Sequence, residues 1–385
     1  MNFELTSEQA MLKESVERMI AEQYGQDVRR QALAMPAGWS EKSWRQFAEL
    51  GLLGIGYPEE DGGFGGTGID TMIVMEAFGR GAVVEPYLGS VILAGSILRH
   101  ARFAGREGII KGLVAGEKLP AFASEEQSAR YRLDHVQTRA ARSAARWQLD
   151  GRKVNVTAGD TADVLFLTAR IHGAPTSRDG LAIFSVSPDL PGVTVEPYTG
   201  TDGTRLAAIN LAGVTVGADA LIAEGSEAWK LIELAHDEAI AALCAEAVGL
   251  MEAFINATVE HLKGRQQFGG PLARFQALQH RAAEMYVAKE QSRSMAIYAA
   301  VMMAESDRDA RRRAISSAKV QIAKSIRFVG QQAVQLAGGI GVTDEYIVGQ
   351  LFKRSSVVER QFGDADHHLA LIDALQENRS YHVSA

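Results

Sequence analysis

The sequence predicts an α+β protein of three domains: an all-helical amino-terminal domain, a central β-barrel-like domain and a carboxy-terminal four-helix bundle. Its 385 residues exceed what one ordinary hydrophobic core organises. The apolar period also changes along the chain, from the three- and four-residue spacing of helices to short strand-like runs and back to helix. We therefore expect domains at residues 1–118, 119–220 and 221–385.

The amino-terminal domain begins with a helix signature. Thr6 and Gln9 match a capping box, in which each side chain bonds the backbone N–H of the other residue. Apolar residues then recur on one helical face at Leu12, Val16, Met19 and Ile20. Further helices are expected over Trp44–Leu50, Ile69–Phe78 and Ser90–Ala101.

Three glycines in this domain, Gly63, Gly65 and Gly68, fit the G-x-G-x-x-G pattern of dinucleotide-binding proteins. That pattern is informative only between a strand and a helix, and no strand is predicted before these glycines. The segment is therefore interpreted as a tight loop.

Short β-rich runs separated by turn signals mark the central domain. The expected strands are Val164–Ala169, Leu181–Val186 and Val193–Val195, and the expected turns are Asp150-Gly151 and Asp179-Gly180. Long periodic segments then predict the helical bundle at Glu227–Gly264, Phe275–Ala304, Ala310–Leu336 and Val348–Gln376.

Composition excludes several classes of function. The net charge of −7 is spread along the chain, whereas a nucleic-acid surface needs a concentrated basic patch. No stretch approaches the roughly 20 apolar residues of a membrane span, and the amino terminus has no basic-then-apolar signal. A cytoplasmic protein without membrane contact is therefore expected. The single cysteine, Cys244, allows no intrachain disulfide and is expected to be a buried, inert thiol.

Two motifs of the carboxy-terminal half carry a resemblance to a known family. They are Arg265-Gln266-Gln267-Phe268-Gly269, followed by Phe275-Gln276, and Gln335-Leu336-Ala337-Gly338-Gly339. Together with Leu50-Gly51-Leu52-Leu53-Gly54, they resemble the signatures of the acyl-CoA dehydrogenases, and the resemblance covers essentially the whole chain. It implies the fold of that family, FAD as cofactor, an acyl-CoA thioester as substrate and an electron-transferring flavoprotein as electron acceptor.

The residue types of these motifs suit a bound dinucleotide. Arg265 offers a permanently charged donor fork to a pyrophosphate, and the paired glycines allow backbone N–H groups to approach it. Taken singly, each motif is better explained by an arginine that caps one helix and glycines that end another, and only the full set of motifs favours a bound dinucleotide. The resemblance places a set of residues at the FAD of a neighbouring subunit, and so implies an oligomer: Arg265, Phe268, Gln276, Gln335, Gly338 and Gly339.

Within the central domain, residues 151–159 resemble the strand that the family packs against the flavin ring. Thr157 falls at the position whose hydroxyl reaches the flavin N5 region, whereas Asn155 replaces the usual Trp. Ser124 lies in a second stretch that resembles a flavin-contacting strand, for which an ordinary edge strand is an equal alternative.

A dehydrogenase of this family needs a carboxylate against the substrate α-carbon. The resemblance places Phe362 at the usual position of this base and Ala239 at the position that some relatives use, so the usual base is absent. Two nearby carboxylates are candidates for the role. Glu238 lies one helical residue from the second position and is therefore turned by about 100°, and Glu246 lies further along the same helix.

Asp364 is the best single candidate for a base in this chain. The run Asp364-Ala365-Asp366-His367-His368 also fits the amino-terminal cap of the final helix or a contact with a neighbouring subunit. It lacks the third ligand that a metal site requires, so no metal is expected.

Residues 362–369 resemble in particular the smaller subunit of pimeloyl-CoA dehydrogenases and partners in heteromeric steroid-degrading enzymes. In such heteromers one chain supplies the base and the other helps to hold FAD. We therefore expect a subunit that joins a homologous dehydrogenase chain in a heterotetramer and introduces a 2,3-double bond into a CoA thioester. Two alternatives stay open: a self-sufficient homotetramer with a relocated base, and a scaffold subunit that binds neither FAD nor CoA.

Overall fold

In the computed structural model, which describes residues 5–143, 145–343 and 345–383, helices predominate up to Val114. They are α1 Ser7–Gln23, α2 Gln26–Ala34, α3 Glu41–Glu49, α4 Gly68–Gly81, α5 Gly95–His100 and α6 Arg106–Val114. The expected capping box is confirmed, because Gln9 N–H donates to Thr6 Oγ1 and Thr6 N–H donates to Gln9 Oε1, each at 3.2 Å. Residues 1–4 of the amino terminus lie outside the described residues.

The helix expected over Ser90–Ala101 begins earlier and has two parts. Tyr87–Ala94 is a π-helix, and α5 continues from it without a break. π-Helical turns are rare and are frequently found at functional sites. The apolar spacing predicted a helix here, but it does not distinguish a π-helix from an α-helix.

Eight strands form one sheet in the centre of the chain. They are β1 Pro120–Ala123, β2 Arg139–Ser143, β3 Arg146–Thr157, β4 Val164–Arg170, β5 Leu181–Val186, β6 Val193–Thr199, β7 Arg205–Gly217 and β8 Leu221–Glu224. The strand order is β6-β7-β3-β2-β4-β5-β8, and β1 pairs with β4 in parallel. The three strands expected from the sequence are confirmed, and β6 continues beyond the expected run to Thr199.

The turn expected at Asp150-Gly151 is wrong. Both residues lie inside β3, where the register opposite β7 shifts between Leu149 and Gly151. A β-carbon on Gly151 would lie only 2.5 Å from Thr138 Oγ1. Glycine is therefore required here because Thr138 packs closely against the backbone where the register of the strand shifts. The other expected turn is confirmed, since Arg178–Gly180 forms a short 3₁₀ helix before β5.

Long helices make up the carboxy-terminal part: α7 Gly225–Gly264, α8 Gln276–Met302, α9 Arg308–Ala337, α10 Ile347–Arg360 and α11 Ala365–Val383. A small hairpin, β9 Gln266–Gln267 and β10 Gly270–Pro271, follows α7. The single helix expected over Val348–Gln376 is wrong, because it is divided between α10 and α11. Phe362 and Gly363 have φ values of 60° and 116°, which no α-helix accommodates.

The described chain divides into two compact units. We call Met1–Arg30, Thr67–Val83 and Ile240–Ala385 the helical unit, and Gln31–Gly66 and Val84–Ala239 the sheet unit. The sheet unit has an apolar core of fully buried strand residues that includes Leu149, Leu165 and Phe184. Among the residues that the structure describes, no helix has the length and apolar character to cross a membrane.

Candidate functional site

The first family motif forms an exposed hairpin in the helical unit. Phe268 and Gly269 lie at its tip in the left-handed region, with φ values of 54° and 80°. The Arg274 guanidinium holds this tip by donating to the carbonyl oxygen of Phe268 and, at 3.1 Å, to that of Gly269. The Phe268 side chain is 79% exposed, and Arg265 at the base of the hairpin is also exposed. The Arg265 guanidinium and the Phe268 ring are thus exposed on a hairpin whose tip is held by Arg274.

The second motif lies at the end of α9 in the same unit. Gln335 is exposed on the last turn, and Gly338, with a φ of 70°, ends the helix. A β-carbon on Gly338 or Gly339 would have no atom within 4 Å, so packing inside the chain does not exclude a side chain there. Gln276 is exposed at the first turn of α8. An external group can therefore approach the backbone of both glycines.

These residues fit the diphosphate and adenosine portion of FAD. An exposed guanidinium suits phosphate, exposed amides suit an adenosine, and glycines without a side chain allow a ligand to approach the backbone. The chemistry of this set therefore agrees with the expectation from the motifs. Its outward orientation also suits a dinucleotide shared with another subunit.

Thr157 and Ser124 lie in the sheet unit. Thr157 ends β3 and packs against the π-helix, because a β-carbon on Gly89 would lie only 2.8 Å from Thr157 Cβ. The buried Ser124 hydroxyl lies 3.3 Å from His236 Nε2, and His236 Nδ1 lies 2.8 Å from the Ile232 carbonyl oxygen. A carbonyl only accepts, so Nδ1 carries the proton and Nε2 accepts from Ser124. The Ser124 hydroxyl thus already has a partner within the chain.

Asn155 takes part in a polar network that the sequence did not indicate. Its backbone N–H donates to the Tyr198 hydroxyl oxygen at 2.8 Å, and that hydroxyl donates to Asn155 Oδ1 at 2.8 Å. Its amide Nδ2 donates to Glu125 Oε2 at 2.9 Å. Burial raises the pKa of Glu125, and the hydrogen bond from Asn155 opposes that effect. These side chains line an open cavity of about 510 Å³ in the sheet unit, which also contacts Arg130 and Arg152.

Glu238 is bound by two side chains, Arg99 and His100, within the sheet unit. Arg99 donates to Glu238 Oε2, and His100 Nε2 lies 2.8 Å from Glu238 Oε1. Burial alone would raise the pKa of Glu238, but the charge of Arg99 and the hydrogen bond from His100 outweigh it and lower that pKa to about 2. The carboxylate is therefore ionised and engaged at neutral pH.

Glu246 and Asp364, in the helical unit, also have partners. The Arg354 guanidinium donates to both carboxylate oxygens of buried Glu246, at 2.6 and 2.8 Å. Asp364 accepts the backbone N–H of His367 at 2.9 Å, the position of an amino-terminal cap on α11. The helix cap that the sequence suggested for the Asp364 run is confirmed.

Buried groups lie on both sides of the segment between α10 and α11, where the sequence resemblance places Phe362 at the position of the usual base. Lys319 Nζ donates to the carbonyl oxygens of Val358 and Glu359 at 2.7 and 3.0 Å. His368 Nε2 lies 3.1 Å from the Phe362 carbonyl oxygen. Burial lowers the pKa of Lys319 to about 8 and that of His368 to about 3. Half-buried Phe362 thus lies in a segment fixed from both sides.

Known family models and a curated relative match nearly the whole chain. Sequence models of the acyl-CoA dehydrogenase N-terminal, middle and C-terminal domains match residues 6–117, 121–214 and 229–374. A probable acyl-CoA dehydrogenase of Bacillus subtilis is 28% identical over 365 residues, which cover 93% of this chain and 95% of the relative.

Two solved structures share the fold over nearly the whole chain. Butyryl-CoA dehydrogenase from Megasphaera elsdenii is 23% identical with a TM-score of 0.88, covering 97% of this chain and 99% of the other. The Tcur3481-Tcur3483 steroid acyl-CoA dehydrogenase variant is 25% identical with a TM-score of 0.86, over the same shares of the two chains. The chain belongs to the acyl-CoA dehydrogenase family, whose members are FAD-dependent oxidoreductases.

Proposed function

We propose that this chain is a subunit of a heteromeric, cytoplasmic acyl-CoA dehydrogenase, in which it helps to hold FAD while a homologous chain supplies the base. The enzyme introduces a 2,3-double bond into an acyl-CoA thioester and passes the electrons to an electron-transferring flavoprotein. FAD, when bound, supplies the hydride acceptor. In this chain, a set of exposed residues would hold the dinucleotide of a neighbouring subunit's FAD: Arg265, Gln335, Gly338 and Gly339. Thr157 would orient the reactive end of a flavin bound at its own sheet unit.

One observation carries the proposal: each candidate carboxylate of this chain already has a partner. Glu238 is paired with Arg99, Glu246 with Arg354, and Asp364 with a backbone N–H. A general base must accept a proton from the substrate, and the lowered pKa of Glu238 opposes that step. The hydrogen bonds of Glu246 and Asp364 hold those side chains in structural contacts of this chain. The base is therefore assigned to a second chain.

The solved steroid acyl-CoA dehydrogenase is named for two chains, which supports a two-chain assembly for this relative of it. Its substrate class does not transfer, because the described cavity and contacts specify no acyl group. The acyl-CoA used by this protein is best found by testing a series that runs from short straight-chain to steroidal thioesters.

Flavin bleaching tests the assignment of the base. We expect bleaching by an acyl-CoA when the chain is purified together with a homologous dehydrogenase subunit encoded beside it, and none with the chain alone. Bleaching by the chain alone that is lost in E238Q, E246Q or D364N would identify a self-sufficient enzyme and overturn the proposal. A coassembled protein that takes up no added FAD would contradict it in favour of a scaffold subunit.

The FAD-holding role is tested separately with Arg265. Replacing it by Gln removes a charged donor fork, and we expect the Kd of the assembled protein for FAD to rise roughly tenfold or more. Lys263→Gln is the matched control, since it removes a positive charge from another exposed residue two positions away. Equal FAD affinity in the two variants would show that Arg265 does not bind the cofactor.

A further inference from the structure

The π-helix of the sheet unit depends on a side chain outside it. Tyr87, Val91 and Ile92 are almost fully buried, so the backbone around them has little access to water. The Arg99 guanidinium donates to the Val91 carbonyl oxygen at 3.1 Å and to the Ile92 carbonyl oxygen at 3.3 Å. The Ile92 carbonyl oxygen also accepts the Gly95 backbone N–H. Arg99 therefore adds a charged donor to two carbonyls of this irregular helix and stabilises it directly.

Arg99 is itself fixed by Glu238. The guanidinium lies 5.5 Å from the centre of the Tyr57 ring and donates to the Glu238 carboxylate. The two charged side chains are only 14% and 16% exposed. Removal of one charge from such a pair leaves the other poorly compensated, so Arg99 would lose its position.

The π-helix that Arg99 stabilises contacts β3, the strand that resembles the flavin-packing strand of the family. Gly89 lies within the π-helix, and a β-carbon there would come within 2.8 Å of Thr157 Cβ and 2.9 Å of Thr157 Cγ2. Only glycine permits this approach, so the π-helix backbone forms one wall against the Thr157 side chain. A shift of the helix would therefore change the space around Thr157.

We propose that Glu238 is a positioning residue: through Arg99, its carboxylate holds the π-helix so that Gly89 fixes the Thr157 side chain. This inference rests on the proposed function in one respect, the role of Thr157 towards FAD. It gives the Arg99–Glu238 ion pair a structural role. The position of Glu238 next to Ala239 does not by itself explain this pair.

Amide hydrogen exchange of the full-length chain without FAD tests the support of the helix. In Glu238→Gln and in Arg99→Gln we expect exchange in residues 87–95 to accelerate roughly tenfold or more, because both changes free the same segment. The double variant should accelerate it no further than the stronger single variant, since the two residues act in series. Asp134→Asn is the control, because it breaks an ion pair with Arg132 in the loop before β2.

Arg99→Lys provides a milder test if the Gln variants do not fold. It keeps the charge but loses the planar fork that reaches two carbonyls, so faster exchange of residues 87–95 is again expected. Exchange within about twofold of the unchanged chain in Glu238→Gln or Arg99→Lys would overturn the inference. Loss of flavin bleaching in Glu238→Gln with unchanged exchange would identify Glu238 as the base instead. Because exchange is measured without FAD, a failure of the proposed function leaves this result interpretable.

A second measurement, on the assembled protein with FAD, tests whether the displacement of the π-helix changes the position of Thr157. The visible spectrum of bound FAD should change in Glu238→Gln and in Arg99→Gln but not in Asp134→Asn. An unchanged spectrum alongside faster exchange would overturn the step from the π-helix to the flavin.

Discussion

Glu246 illustrates, at the scale of single residues, how tertiary partners decide the chemistry of a carboxylate. It lies along the same helix as the alternative base position, yet both of its oxygens accept from Arg354. A bidentate pair of this kind fixes the position of the side chain.

We expect Glu246→Gln to lower the free energy of unfolding by about 3 kcal/mol or more, because it removes the negative charge of a buried ion pair and leaves the positive charge of Arg354 in place. Urea denaturation of the purified chain measures the change. The double variant Glu246→Met, Arg354→Met should recover part of the loss, because it leaves neither charge buried. A loss below about 0.5 kcal/mol in Glu246→Gln would show that the pair is not a stabilising contact.

Asp364 has a different role, as the cap of α11. Asp364→Ala should reduce stability by about 1 kcal/mol, whereas Asp364→Asn should change it by only a few tenths, because Asn caps helices as well as Asp does. Urea denaturation of both variants tests this order. A stable assembly carrying Asp364→Asn that no longer bleaches with acyl-CoA would instead show that the carboxylate is the base.

At the scale of elements, the break between α10 and α11 depends on neutral His368. Its Nε2 donates to the Phe362 carbonyl oxygen, and its Nδ1, 3.2 Å from Ser316 Oγ, accepts from that hydroxyl. Burial, reinforced by the charge of Lys319, lowers the pKa of His368 from 6.5 to about 3.

The lowered pKa of His368 predicts that the break between α10 and α11 is sensitive to acid. Between about pH 6.5 and pH 3 the unfolded chain binds a proton at this residue and the folded chain does not, so stability falls as the pH falls through that window. His368→Gln retains an N–H donor but cannot titrate. We expect its urea midpoint to fall less than that of the unchanged chain between about pH 6.5 and pH 4. Parallel decreases in the two proteins would contradict a buried neutral His368.

At the scale of the whole molecule, the hairpin tip offers an apolar surface that the described chain leaves uncovered. Phe268 is 79% exposed, and its removal should leave the stability of the single chain within about 0.5 kcal/mol. Phe268→Ala should nevertheless weaken FAD retention by the assembled protein, because the ring is expected to shield the dinucleotide. Phe64→Ala, at a side chain 68% exposed in the sheet unit, is the control. Equal FAD retention in both variants would remove Phe268 from the cofactor site.

The sequence by itself determined the order of helices and strands, the capping box at Thr6 and the family. Each of these depends on residues close together in the chain, whose spacing fixes local hydrogen bonding and the buried face. The same local rules could not separate a turn from the strand irregularity at Gly151, because both use glycine.

Only the tertiary structure decided which carboxylates are engaged. Glu238 meets Arg99 from a distant part of the sequence, and Asn155 of β3 meets Tyr198 of β6 although β7 lies between these strands in the sheet. Such partners are selected by packing, and the pKa of a carboxylate follows from the charges and burial that packing brings to it. The sequence therefore predicted that the usual base is absent, whereas the fold showed which partners the candidate carboxylates Glu238, Glu246 and Asp364 have.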